Sequence, residues 1–233
     1  MINNLINVFI EPREVFTSLK EQNDWKNALI PIVISVLVGI ASMMALGELL
    51  VEYQISETER AIMGSSQIPE DKKEEILEDS LSGIMDPSPA MIAIGYFTNA
   101  ISIPVRILFM ALIIMLIGNF FFGGKAKYSS IMTMTAFTYM IANLESLVKV
   151  PLMISQWRME VYTGLGILGL GEKGSFLYNF MAGMDLFAVW RVIVLAVGMS
   201  VLYNRSTRPF AIAITIYWIL QTTFLAFLGS LFA

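Results

Sequence analysis

The chain has 233 residues, 56% of them hydrophobic and only 15% charged, with a formal net charge of −4. The absence of cysteine and histidine excludes thiol nucleophiles, disulfides and imidazole bases and argues against a zinc site, while the negative balance argues against nucleic acid, which needs a basic face. The apolar residues come in long runs, and 28–47 and 209–233 contain no charge at all, so the chain reads as an all-α polytopic membrane bundle.

Residues 1–27 form an arm. Ile2, Leu5, Ile6 and Phe9 recur at helical spacing, and Pro12 restarts the chain before "REVFTSL". The pattern predicts short helices on the membrane surface, with Phe9, Val15, Phe16 and Leu19 dipping in and Trp25 at the interface. Seven charged side chains in these 27 residues, with no basic segment followed by an apolar one, fit no cleavable signal. The first span is expected at 28–50, with Pro31 near its start.

Residues 51–90 hold ten acids and three bases. Ser56 followed by Glu59 matches a capping box, and "PEDKKEEILEDSL" predicts a second helix from Pro69. This is expected to be a solvated acidic loop outside the membrane, the alternative being a site for a cation or a basic partner. From Pro87 to Gly124 only Arg106 is charged, and 38 helical residues would measure about 57 Å, too long for one crossing. The second span is therefore placed at 104–122, with 88–103 as an outer extension bent near Pro104.

"GGKAKY" is a tight turn, the third span covers 128–151, and a glycine-rich connection reaches about residue 180. The fourth span is placed at 182–203 and, after the turn "NRSTRP", the fifth at 209–232. "GLGILG" (164–169) and "GLGEKG" (169–174) match the dinucleotide pattern GxGxxG, but neither follows a predicted strand, and both read as loop. The small residues of "AVGMS" (196–200) would allow close helix approach, within the bundle or between chains, so a homo-oligomer stays open.

The arm and the two basic turns hold seven Lys/Arg in about 39 residues, against five in the 66 residues of the two long connections. Positive charge favours the cytoplasmic side, so the N-terminus is expected inside and the C-terminus outside. Counting from the cytoplasmic ends at 1.5 Å per residue places Glu48, Arg106, Glu145, Lys149, Asp185 and Arg191 in the outer third of the membrane. Three readings are open for this layer: mutual pairing for structure, snorkelling of each side chain by itself, or a path for an ion or small solute.

Several stretches together resemble the Yip family, five-span membrane proteins named for interaction with Rab-type GTPases. "EPREVFTSL…W" precedes the first span, "FFGGKAKYSS" lies between spans two and three, the third span runs to Pro151, and "DLFAVWRVIVLAVGMSV" is similar to the family's fourth span. Pro12, Phe16, Gly123, Gly124, Pro151 and Trp190 carry this likeness, whereas the acidic loop and Arg191 match no shared motif. The resemblance implies five spans and no catalytic residues or cofactor. Eukaryotic relatives act in vesicle trafficking and some prokaryotic ones resemble transporter accessory proteins. The short arm resembles the prokaryotic type, which implies a prokaryotic cytoplasmic membrane.

Two functions follow as expectations. One is a non-enzymatic scaffold or accessory subunit whose partners are membrane lipids and other membrane proteins, a transporter among them. The other is a transport protein whose polar layer lines a path for an ion or small solute.

Overall fold

The computed structural model describes residues 2–22, 24–65 and 67–231. Among them regular structure is helical, apart from an isolated antiparallel bridge between Gly164 and Asp185. Five helices are long and apolar enough to cross a membrane, so the chain is an all-α polytopic bundle.

Two short helices, α1 (Ile2–Asn7) and α2 (Pro12–Gln22), precede the spans. Pro12 opens α2, where its missing N–H removes no bond. The apolar face of α2, formed by Val15, Phe16 and Leu19, is buried against protein. Phe16 lies beside Gly198, where an added Cβ would come within 3.1 Å of its ring. Phe9 meets Trp190 edge-on at 5.9 Å. The side chains expected to dip into lipid thus meet protein instead, and Ile2, Ile6 and Ile10 are the ones left exposed.

A 3-10 turn, Trp25–Ala28, held by the Asp24 side chain, leads into α3 (Leu29–Gly64). At 36 residues α3 is about 54 Å long, well beyond one bilayer crossing. Ser56 does not begin a helix: it lies inside α3, its hydroxyl donating to the Tyr53 carbonyl at 3.0 Å. No glycine or proline occurs between Gly47 and Gly64, so nothing stops the helix as it leaves the apolar run. α4 (Glu70–Met85) returns along it, and the Lys73 ammonium donates to the Met63 carbonyl at 2.9 Å.

α5 (Pro89–Met115), capped by Ser88, runs through Pro104 and continues as a π-helical turn, Leu116–Phe121. Residues 88–103, expected as an outer extension, belong to this helix. Its Ile103 side chain lies at Gly39 and its Gly95 faces Met43, so this part of α5 runs beside the middle of α3. The following turn is clamped by Asn119, whose side chain donates to the Ala126 carbonyl and accepts from the Ala126 N–H and the Tyr203 hydroxyl. Gly123 takes a left-handed conformation there (φ +61°) and Gly124 lies flat against the Tyr203 ring.

α6 (Tyr128–Gln156) passes Pro151 and ends at Trp157. Proline is tolerated inside such helices when neighbouring groups satisfy the freed carbonyl. A loop with a 3-10 turn, Leu165–Leu168, leads to α7 (Phe176–Gly183), α8 (Leu186–Tyr203) and α9 (Thr207–Leu231). The main core lies among α2, α6, α8 and α9, with Phe16, Phe137, Met199 and Phe210 fully buried. A smaller cluster of Ala28, Ile103, Ile107 and Ala136 joins α3, α5 and α6. Above it, the Asn143 amide donates to the Ser35 hydroxyl at 2.8 Å, a polar tie between α6 and α3.

Candidate functional site

The loop between α6 and α8 sets the position of one carboxylate. Gly164 pairs with Asp185, and the Leu165 N–H donates to the Met184 carbonyl at 2.9 Å. Asp185 then caps α8, one carboxylate oxygen accepting the Phe187 N–H at 2.8 Å. The other oxygen accepts the Thr163 hydroxyl at 2.6 Å and the Lys149 ammonium at 3.0 Å.

Lys149 also pairs with Glu145, four residues earlier on the same face of α6, at 2.7 Å. The second oxygen of Glu145 faces Arg191 at 3.4 Å. Arg191 lies almost two turns inside the bundle from Asp185, yet helical side chains lean toward their N-terminus, and this brings its guanidinium back to the level of Glu145. The result is an alternating chain, Asp185–Lys149–Glu145–Arg191, with no net charge. Its side-chain exposure rises from 9% at Asp185 through 15% and 20% to 36% at Arg191. Four of the six charges expected in one layer are therefore together.

Glu48 and Arg106 are not. Both are exposed, and among the described residues neither side chain has a hydrogen bond or ion pair. Glu48 lies one turn before Glu52, which accepts the Trp157 indole N–H at 2.6 Å. Arg106 adjoins Ile107, which packs with Ala28 and Ala136. It is thus nearer the arm than Glu145 and about midway along its own span, Pro89–Phe121.

Beyond this cluster, the loop leans on the C-terminal part of α3. Lys173 bridges Glu160 at 2.5 Å and Glu57 at 3.3 Å and lies over the Tyr53 ring. Burial acts to lower the Lys173 pKa, but these two carboxylates outweigh it and the pKa is raised, holding the ammonium charged. The Tyr162 and Tyr178 hydroxyls share a hydrogen bond of 2.7 Å, and burial first, then this bond, pushes the Tyr162 pKa up.

Among the described residues no acidic cluster could hold a metal ion. The two GxGxxG stretches form the 3-10 turn and the loop after it, with no strand before them. Thr163 is the one member of the Asp185 site that the sequence reading did not single out. Asp185 itself carried a signal, a capping residue immediately before an apolar run.

The residues of the family likeness have structural places. Pro12 starts α2, Phe16 fills the core, Gly123 and Gly124 make the α5–α6 turn, Pro151 lies within α6, and Trp190 sits between Phe9 and Phe187. A family model described as the Yip1 domain matches residues 6–229. Neither the curated proteins nor the solved structures yield a match.

Proposed function

The chain belongs to the Yip1 domain family, and from that premise we propose that it is a non-enzymatic integral membrane scaffold that receives other membrane proteins against its lipid-facing side. Arg106 is the observation that carries this reading. The charges of the α6–α8 cluster compensate one another, whereas Arg106 is exposed about midway along its span with no side-chain partner among the described residues. An arginine at the centre of a membrane helix costs about 3 kcal/mol on insertion scales. A carboxylate or carbonyl on a partner's helix would offset that cost. The neighbouring exposed side chains Val105 and Phe109 provide apolar contact around it.

A photo-crosslinking residue at Phe109 tests this in cells. The expected result is a discrete adduct with a membrane protein that weakens at least tenfold when Arg106 is also changed to leucine, with the unfolding midpoint unchanged. An adduct pattern indifferent to Arg106→Leu would sink the proposal and leave Arg106 as a snorkelling side chain.

The basic turns motivate the orientation within this reading: arm inside, α4 and the loop 157–175 outside. Single cysteines at Glu75 and Glu172 should react with an impermeant thiol reagent on sealed cells, and one at Glu21 only after lysis. All three positions are exposed, and the native chain has no thiol to compete. Labelling of Glu21→Cys alone on sealed cells would reverse the orientation.

A further inference from the structure

At the arm end, α2 and the α8–α9 turn enclose an open cleft of about 620 Å³ lined by Arg13, Lys20 and Arg205, with Thr17 and Ser206 between them. Two of the three cations are held in place by neutral groups. The Arg13 guanidinium donates to the Ser200 hydroxyl at 3.4 Å and the Thr207 hydroxyl at 3.2 Å. The Lys20 ammonium donates to the Val201 carbonyl and the Asn204 side-chain oxygen, both at 2.7 Å. Asn204 can present that oxygen because it ends α8 in the left-handed conformation, φ 51°.

None of the three is in a salt bridge among the described residues. The only acid on the wall is Glu21, which leaves the cleft with two more positive than negative groups. Among the described residues Arg60, Lys73, Lys149, Lys173 and Arg191 have carboxylate partners, and these three do not, although they share one cleft. Two arm-end cations are therefore held in position, Arg205 stands free beside them, and all three lack a carboxylate partner, around a space the size of a small-ligand site.

We infer that this cleft binds a phosphate group. Arginine suits the task because its planar fork can hold two oxygens of one phosphate at once, and the Ser206 hydroxyl can donate to a third, Thr17 being already committed to the Arg13 carbonyl. The ligand is either the headgroup of an anionic phospholipid or a soluble phosphate. The cleft favours the headgroup by position, because its Lys20 also borders a hollow with Trp25, an exposed indole suited to the membrane interface. This inference does not depend on Arg106 or on the partner proposed above.

The test uses the purified full chain in a neutral detergent at constant ionic strength. Unfolding midpoints are followed while short-chain phosphatidic acid, short-chain phosphatidylcholine or inorganic phosphate is titrated in, since a ligand of the folded state raises the midpoint with concentration. Phosphatidic acid should bind at least tenfold more tightly than phosphatidylcholine. Arg205→Gln should weaken it about fivefold, and Arg13→Gln with Arg205→Gln about twenty-five-fold. Arg205 makes no side-chain hydrogen bond among the described residues, so its single variant keeps the test valid should Arg13→Gln disturb folding.

Binding of inorganic phosphate with the same dependence on the arginines would uphold the site and identify a soluble ligand. No binding of either phosphate probe, or binding that both variants leave unchanged, would overturn the assignment. Arg106→Leu should leave all these values unaltered.

Discussion

Lys149→Met should lower the unfolding free energy of the purified protein by about 3 kcal/mol, the lower end of what breaking a buried ion pair costs. Methionine keeps the length and apolar stem of lysine, so packing on α6 is preserved and the charge alone is removed. Lys149 is 15% exposed and bridges Glu145 at 2.7 Å and Asp185 at 3.0 Å. Without it, two carboxylates face each other in a site that water reaches poorly. Asp185 still has Thr163 and the Phe187 N–H, and Glu145 still has Arg191, which is why the loss should fall at that lower end. Adding Glu145→Gln should recover part of it, a departure from additivity of roughly 1 kcal/mol or more. Arg191→Met should cost less, since its pair with Glu145 is longer and more exposed. Unfolding midpoints in detergent decide the matter. A Lys149→Met midpoint equal to that of the native chain, with a double variant that is simply additive, would mean that water compensates these carboxylates.

The sequence made part of this cluster legible and hid part of it, for reasons that can be named. Glu145 and Lys149 stand four residues apart on one helix, so their pairing needs no tertiary information. Asp185 and Arg191 count back to a similar depth from the turn "NRSTRP", and α6 and α8 do bring them to Glu145 and Lys149. Arg106 fails the same counting. It lies about as far from "GGKAKY" as Glu145 does, but residues along α5 do not map onto depth as they do along α6, and Ile107 ends beside Ala28 and Ala136. Its side chain also points outward, one position off the buried face of Ile103, Ile107, Ala111 and Ile114. In a soluble helix that face would stand out against polar residues. In α5 the lipid-facing side is equally apolar, so periodicity carries no mark of which side meets protein. The same ambiguity covers α2: its amphipathic pattern is plain, but lipid and the α6–α8 surface are chemically alike to Phe16. Thr163 lay beyond reach for another reason, since nothing in a glycine-rich loop indicates which hydroxyl will return to a carboxylate 22 residues away.

Gly164→Ala should destabilise the protein by about 2–4 kcal/mol, combining overpacking with a lost hydrogen bond, although alanine is comfortable in the backbone conformation there. Gly164 is extended, with φ −152° and ψ −146°, so the difficulty is space. A Cβ at this position would stand 2.0 Å from the Met184 carbonyl oxygen and 2.8 Å from the Asp185 Cα. Both are backbone atoms and cannot swing aside as a side chain can. The strand-like pairing of Gly164 with Asp185 would have to open, giving up the Leu165 to Met184 hydrogen bond and moving the carboxylate that holds Thr163 and Lys149. Gly198→Ala provides the contrast. Its new Cβ would meet only side chains, the Met134 sulfur at 2.5 Å and Cγ at 2.6 Å and the Phe16 ring at 3.1 Å, which can shift where backbone cannot, and should cost less, about 1–2 kcal/mol. Because Gly164→Ala and Lys149→Met both act through Asp185, their combination should destabilise by less than the sum. Gly164→Ala should also expose the 157–175 loop to faster proteolysis, since that loop is tied to the bundle through Asp185. A Gly164→Ala protein that melts and resists protease like the native chain would show that this pairing does not position Asp185.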